Sequence, residues 1–142
     1  AALEMVVSEL TEAGKKVLVL GGGHDLTLAI YRSFAAARNI IEATVVDALI
    51  DIDTESRVPS ESFLLEMLTG QPNYIQQFNL LGFQSYFTYP GLLEAIDKLR
   101  FDCVRVGRVQ ERMDEVEPII RSSHLLSFDL KALANAYLPV NR

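Results

Sequence analysis

Three stretches of this chain share one layout, and that layout restricts the fold more than any other feature. Lys15–Thr27 (KKVLVLGGGHDLT), Thr44–Asp53 (TVVDALIDID) and Leu125–Lys131 (LLSFDLK) each pass from strand-forming apolar residues into acidic ones. Helix-like patterns lie between them. Strands that alternate with helices predict a parallel α/β sheet with right-handed crossovers. If the three strands are parallel neighbours, His24, Asp47, Asp51 and Asp129 converge at the carboxyl edge of one sheet, where open α/β folds place their ligands.

The apolar spacing fills in the rest. Leu3, Val6, Val7 and Leu10 recur at helical spacing and Gly14 follows as a stop, which predicts a helix over 2–13. Val17–Leu20 is a continuous apolar run that suits a strand buried on both faces. From Asp25, a candidate cap, Leu26, Ala29, Ile30, Phe34 and Ala37 mark one helical face. Ala43–Asp47, Phe78–Phe83, Phe101–Val106 and His124–Asp129 read as further strands. Helices are expected around 59–68, from Pro90 to Leu99, and over 112–122, where Pro118 should kink or restart the last one.

The 142 residues make one domain's worth of chain, 1–142, with no repeat or linker. Because the sequence opens inside a helical pattern and stops just past the third acidic stretch, a piece of a longer protein is expected. A net charge of −6 without a basic block argues against nucleic-acid binding, which depends on neutralising phosphates. No apolar run approaches the ~20 residues of a membrane span, and the single Cys103 suits a reducing, cytoplasmic setting.

The glycine loop invites a phosphate-binding reading that its residues do not support. A dinucleotide fingerprint would place glycine three positions after Gly23, where Leu26 stands, and no Gly-Lys-Ser/Thr precedes the helix. Asp25 would also repel phosphate. For His24 and Asp25 alone, a helix cap beside a hydrogen-bonded histidine is the plain structural alternative. The acidic stretches say more. In extended conformation Asp47, Leu49, Asp51 and Asp53 share one face, and carboxylates crowded behind an apolar strand call for a cation. Oxygen ligands with one imidazole suit Mn²⁺ or Mg²⁺.

In this order the motifs resemble the ureohydrolase family of arginase, agmatinase and formiminoglutamase. GGGHD is similar to the family's Gly-Gly-x-His-Ser/Asp, DALID to its Asp-Ala-His-x-Asp and SFDLK to its Ser-x-Asp-x-Asp. SESFLLEML and the Glu117–Pro118 segment look closest to formiminoglutamase-like bacterial members. The resemblance implies an arginase-like three-layer α/β fold with a mainly parallel sheet, here incomplete on its carboxy-terminal side. It also implies a binuclear manganese site whose bridging hydroxide attacks a guanidino or formimino carbon, releasing urea or formamide.

Carried over by position, the first metal of that site falls to His24, Asp47, Asp51 and Asp129, all suitable ligands. The second would share Asp47 and Asp129, but its two private ligands are replaced by Leu49 and Lys131. Leucine cannot ligate, whereas the lysine ammonium can stand in as a fixed positive charge. Asp53 occupies a position that helps hold the substrate carboxylate in relatives acting on amino acids, so here it would favour a cationic tail. The loop Thr54–Glu61 has no histidine to match the proton shuttle of arginases.

Two functions follow as expectations: a hydrolase of linear amidines with one Mn²⁺, acting on a small-molecule substrate, or a catalytically inactive homologue serving as a binding or regulatory subunit. A nucleotide-binding module is the third and lacks its signature. Cys103 reads as a small core residue, and His124 and Ser127 as lying away from the acidic edge. The aromatic residues Phe83, Tyr86, Phe87 and Tyr89 suit core packing or a homo-oligomer contact.

Overall fold

A computed structural model describes residues 2–52, 59–85 and 101–133. The chain divides into two compact units, the first built from 1–41 and 51–76, the second from 42–50 and 77–142.

The first unit is helical. It contains α1 (Ala2–Glu12), α2 (Leu26–Ala36) and α3 (Pro59–Thr69), and α2 meets both of the others. Burial of Val7, Tyr31, Phe63, Leu64 and Met67 removes these apolar side chains from water and holds the helices together. The face of α2 is turned from the one predicted. Thr27, Tyr31 and Ser33 are its buried residues, while Leu26, Ala29, Ile30 and Phe34 are half-buried. The Tyr31 hydroxyl accepts from Tyr74 N at 3.1 Å, and Ser33 Oγ donates back to Ile30 O, so these polar groups are satisfied where they are buried. Asn73 closes α3 by donating to Met67 O and Leu68 O. An ion pair between Arg32 and Glu66 joins α2 to α3 at the surface.

One predicted strand is absent. Val17–Leu20 is irregular, with Leu18 81% and Leu20 84% exposed rather than buried on two faces. An apolar run becomes a strand only where a neighbouring backbone completes its hydrogen bonds, and no ladder includes these residues.

The second unit holds nearly all of a four-stranded parallel sheet. Its strands are β1 (Ile41–Val46), β2 (Ile75–Phe83), β3 (Asp102–Arg105) and β4 (Leu125–Phe128), in the order β3-β2-β1-β4. β1 is central and reads as a run of buried residues, as a strand covered on both faces should. β4 lies beside it in register, with Ala43 opposite Leu125 and Val46 opposite Phe128. The predicted helix over 112–122 is present as α5 (Met113–Ser122), preceded by a short α4 (Val106–Glu111). Pro118 lies inside α5 without ending it. The break falls instead at Arg112, whose φ of −134° is not helical. The helix expected at 90–99 lies outside the described residues, as do Tyr86, Phe87 and Tyr89. No helix of the described residues is long and apolar enough to cross a membrane.

Candidate metal centre

In the first unit the glycine loop delivers His24. Gly21 and Gly22 have φ of +86° and +91°, a region that side-chain-bearing residues avoid, and a Cβ on Gly22 would collide with the Leu26 side chain. The loop therefore turns tightly into α2, with His24 in the turn just before the helix. Its Nδ1 lies 2.9 Å from Asp51 Oδ2, and both side chains are almost wholly removed from solvent. An ionised carboxylate can only accept, so it is the Nδ1–H tautomer that makes this contact a hydrogen bond when Asp51 is ionised. The ring also leans on Phe63 of α3, centroids 4.8 Å apart. Asp51 is held through its backbone, where its carbonyl accepts from Leu64 N.

Asp25 stands at the N-cap position of α2 but does not cap it through its side chain. Its own backbone is already helical, and its carboxylate folds back over Gly23, so the capping expectation fails.

In the second unit, Asp47 and Asp129 each follow directly on a pair of neighbours in the ladder, Val46 and Phe128. Asp47 is fully buried, and its N–H donates to Leu81 O. A bulge in β2 at Gly82, with φ of +88°, brings that strand's backbone against the Asp47 carbonyl, and Gln84 N reaches Ala48 O one residue on. Asp129 N donates to Val46 O, the next rung of the β1–β4 ladder.

Both aspartates then turn the chain in the same way. Asp47 Oδ1 accepts from Leu49 N at 3.0 Å, and Asp129 Oδ1 accepts from Lys131 N at 2.7 Å. These side-chain-to-backbone bonds, two residues forward, compete with extension of the strand. They correct the expectation that Asp47, Leu49 and Asp51 share one face of an extended segment, because β1 ends at Val46. The donors of the two turns are the two positions that lack metal-ligating side chains. Leu49 is half-buried, and the Lys131 ammonium lies 3.7 Å from Asp129 Oδ2. Asp53 lies outside the described residues.

The structure thus brings His24 to Asp51 in one unit and the strand ends bearing Asp47 and Asp129 together in the other. An imidazole nitrogen with buried carboxylate oxygens is a donor set that fits a hard or borderline divalent ion such as Mn²⁺. Leu49 and Lys131 do not fit a second ion, since one offers no lone pair and the other is a cation. Sequence reasoning missed Phe63 against the His24 ring, and nothing in the helical pattern of α3 singles that residue out.

The remaining candidates serve structure. His124 is exposed, its Nδ1 accepts from Glu42 N and its N donates to Glu42 O, which ties β4 to β1. Cys103 is half-buried rather than in the core and lines an open cleft of about 390 Å³ with Arg105, Arg108 and Val116. Ser127 is in mid-β4.

An open parallel α/β sheet with aspartates at the ends of adjacent strands presents them at the edge where such folds bind their ligands. The family model for the arginase family matches residues 1–140, and the chain belongs to that family. Comparison with curated protein sequences gave no match. Among solved structures, the chain is similar to a variant of Trypanosoma cruzi formiminoglutamase with Mn²⁺, with TM-score 0.85 and 19% identity over 97% of this chain and 49% of that one. It is similar to formimidoylglutamase from Bacillus subtilis, with TM-score 0.75 and 16% identity over 97% of this chain and 46% of that one. The agmatine ureohydrolase of Thermoplasma volcanium gives TM-score 0.70 and 19% identity over 97% and 47%. At such identities the likeness is one of fold. The chain spans about half the length of each of these proteins.

Proposed function

We propose that this chain carries the metal-binding part of a divergent ureohydrolase, a hydrolase of linear amidine C–N bonds that uses one Mn²⁺. The observation that carries the reading is the buried His24–Asp51 pair, which places an imidazole and a carboxylate together at the two motif positions that the family uses for its first ion. In this reading His24, Asp47, Asp51 and Asp129 hold the ion. When bound, such an ion polarises substrate and lowers the pKa of water enough for hydrolysis near neutral pH.

The chain's own residues then have separate tasks. Asp51 orients the His24 ring, and Phe63 packs against that ring. The turn at Leu49 fixes the carboxylate of Asp47, and the turn at Lys131 fixes that of Asp129. In the reaction the oxygen of water adds to the amidine carbon, the C–N bond breaks and the departing nitrogen takes up a proton. Formimino compounds, with formamide as product, are the first substrates to test, followed by guanidino compounds such as agmatine.

A second reading is favoured by Leu49 and Lys131, which remove both private ligands of the second ion: an inactive family member that acts as a binding or regulatory subunit. Elemental analysis of protein purified without chelator and supplied with Mn²⁺ separates the two. One ion per chain, lost in Asp51→Ala, together with release of formamide or urea, supports the hydrolase. Absence of bound metal refutes it and leaves the regulatory reading.

A further inference from the structure

We propose that Lys131 is a built-in cation, whose ammonium takes over from the family's second metal ion the task of balancing Asp129 and the neighbouring Asp47. The argument stands within the second unit. β1 and β4 are adjacent and parallel, and Asp47 and Asp129 directly follow the paired Val46 and Phe128. Carboxylates that leave neighbouring strands at the same level repel each other, and Asp47 is wholly buried while Asp129 is 16% exposed. A positive charge beside them offsets that repulsion whether or not a metal is bound.

Lys131 addresses both oxygens of Asp129. Its backbone N–H donates to Oδ1 at 2.7 Å, and its Nζ lies 3.7 Å from Oδ2. The three-residue helical turn Leu130–Ala132, which Asp129 caps, keeps the lysine stem beside the carboxylate that it serves. The ammonium carries one charge and no lone pair. It can therefore offset the aspartates but cannot ligate, share a water molecule between ions or activate one. At Leu49, the partner position, only the backbone N–H reaches Asp47, through the matching turn. The two substitutions act together: leucine removes a ligand and lysine supplies the charge that the lost ion would have brought. Half of the Lys131 side chain remains exposed, so water moderates the attraction.

This inference rests on the one-ion reading only for what it says of metal affinity. The test compares the full chain with Lys131→Met, which keeps the stem, and Lys131→Arg, which keeps the charge. In excess chelator, Lys131→Met is expected to melt about 3 °C below the parent, whereas Lys131→Arg is expected to melt with the parent. In a titration with Mn²⁺ alone, Lys131→Met is expected to bind about tenfold more tightly, because a fixed positive charge no longer opposes the ion. Equal melting of Lys131→Met and the parent in chelator overturns the proposal, as does equal Mn²⁺ affinity where binding occurs. If no form binds Mn²⁺, the one-ion reading fails, and the chelator comparison alone decides on Lys131.

Discussion

His24 and Asp51 stand 27 residues apart in the chain, yet their side chains meet at 2.9 Å, Nδ1 to Oδ2, out of reach of solvent. The bond joins the turn before α2 to the segment that follows β1, and so fixes two motifs at once. Asp51→Ala leaves a buried imidazole N–H without its acceptor, which costs about 1–3 kcal/mol. The midpoint of urea unfolding should fall accordingly. Asp51→Asn, which can still accept through its carbonyl oxygen, should lose less stability while binding Mn²⁺ more weakly than the parent, because the negative charge is gone.

Restoring the missing ligands should restore the second ion. Leu49→His with Lys131→Asp keeps both backbone N–H groups, and therefore both aspartate turns, while exchanging only the side chains. Bound Mn²⁺ should rise from one to two per chain by elemental analysis, with faster amidine hydrolysis. No increase in bound metal would show that the ligand positions are misassigned.

Gly22 is confined by two separate demands, a φ of +91° and the absence of room for a Cβ beside Leu26. The left-handed backbone alone costs a substituted residue about 1–2 kcal/mol. Gly22→Ala should therefore lose at least that much in urea unfolding. Adding Leu26→Ala should relieve the collision but leave the backbone cost, so the double variant is expected to show less than the sum of the two single losses.

A small polar network within the second unit offers a test that is independent of metal. Asn79 Nδ2 donates to Thr44 Oγ1 at 3.1 Å, and Thr44 Oγ1 also bonds Ser123 Oγ at 2.5 Å. Thr44 and Asn79 are both buried on adjacent strands. Thr44→Val preserves shape but removes the shared oxygen, and should cost about 1–3 kcal/mol. Ser123→Ala should cost less, and the two changes together should be less than additive, because they delete the same bond.

Local pattern determined much of this protein. The helical spacing before Gly14 placed α1, and the apolar runs placed β1, β2 and β4 to within a few residues. The order of GGGHD, DALID and SFDLK pointed to the family to which the chain belongs. That Leu49 and Lys131 cannot ligate a metal was legible too, because residue type alone decides whether a side chain has a lone pair to offer.

Tertiary structure decided the rest, because it depends on partners remote in sequence. Val17–Leu20 has the composition of a buried strand, but the backbone that would pair with it cannot be read from the run itself, and the leucines lie exposed. Asp47 read as the start of an extended face and Asp129 as a strand end, and each accepts a backbone N–H two residues on and turns the chain. The sequence shows four candidate ligands and a lysine. Only the fold shows that His24 is held by Asp51 and that Lys131 lies against Asp129, since a charge finds its partner through space and not along the chain.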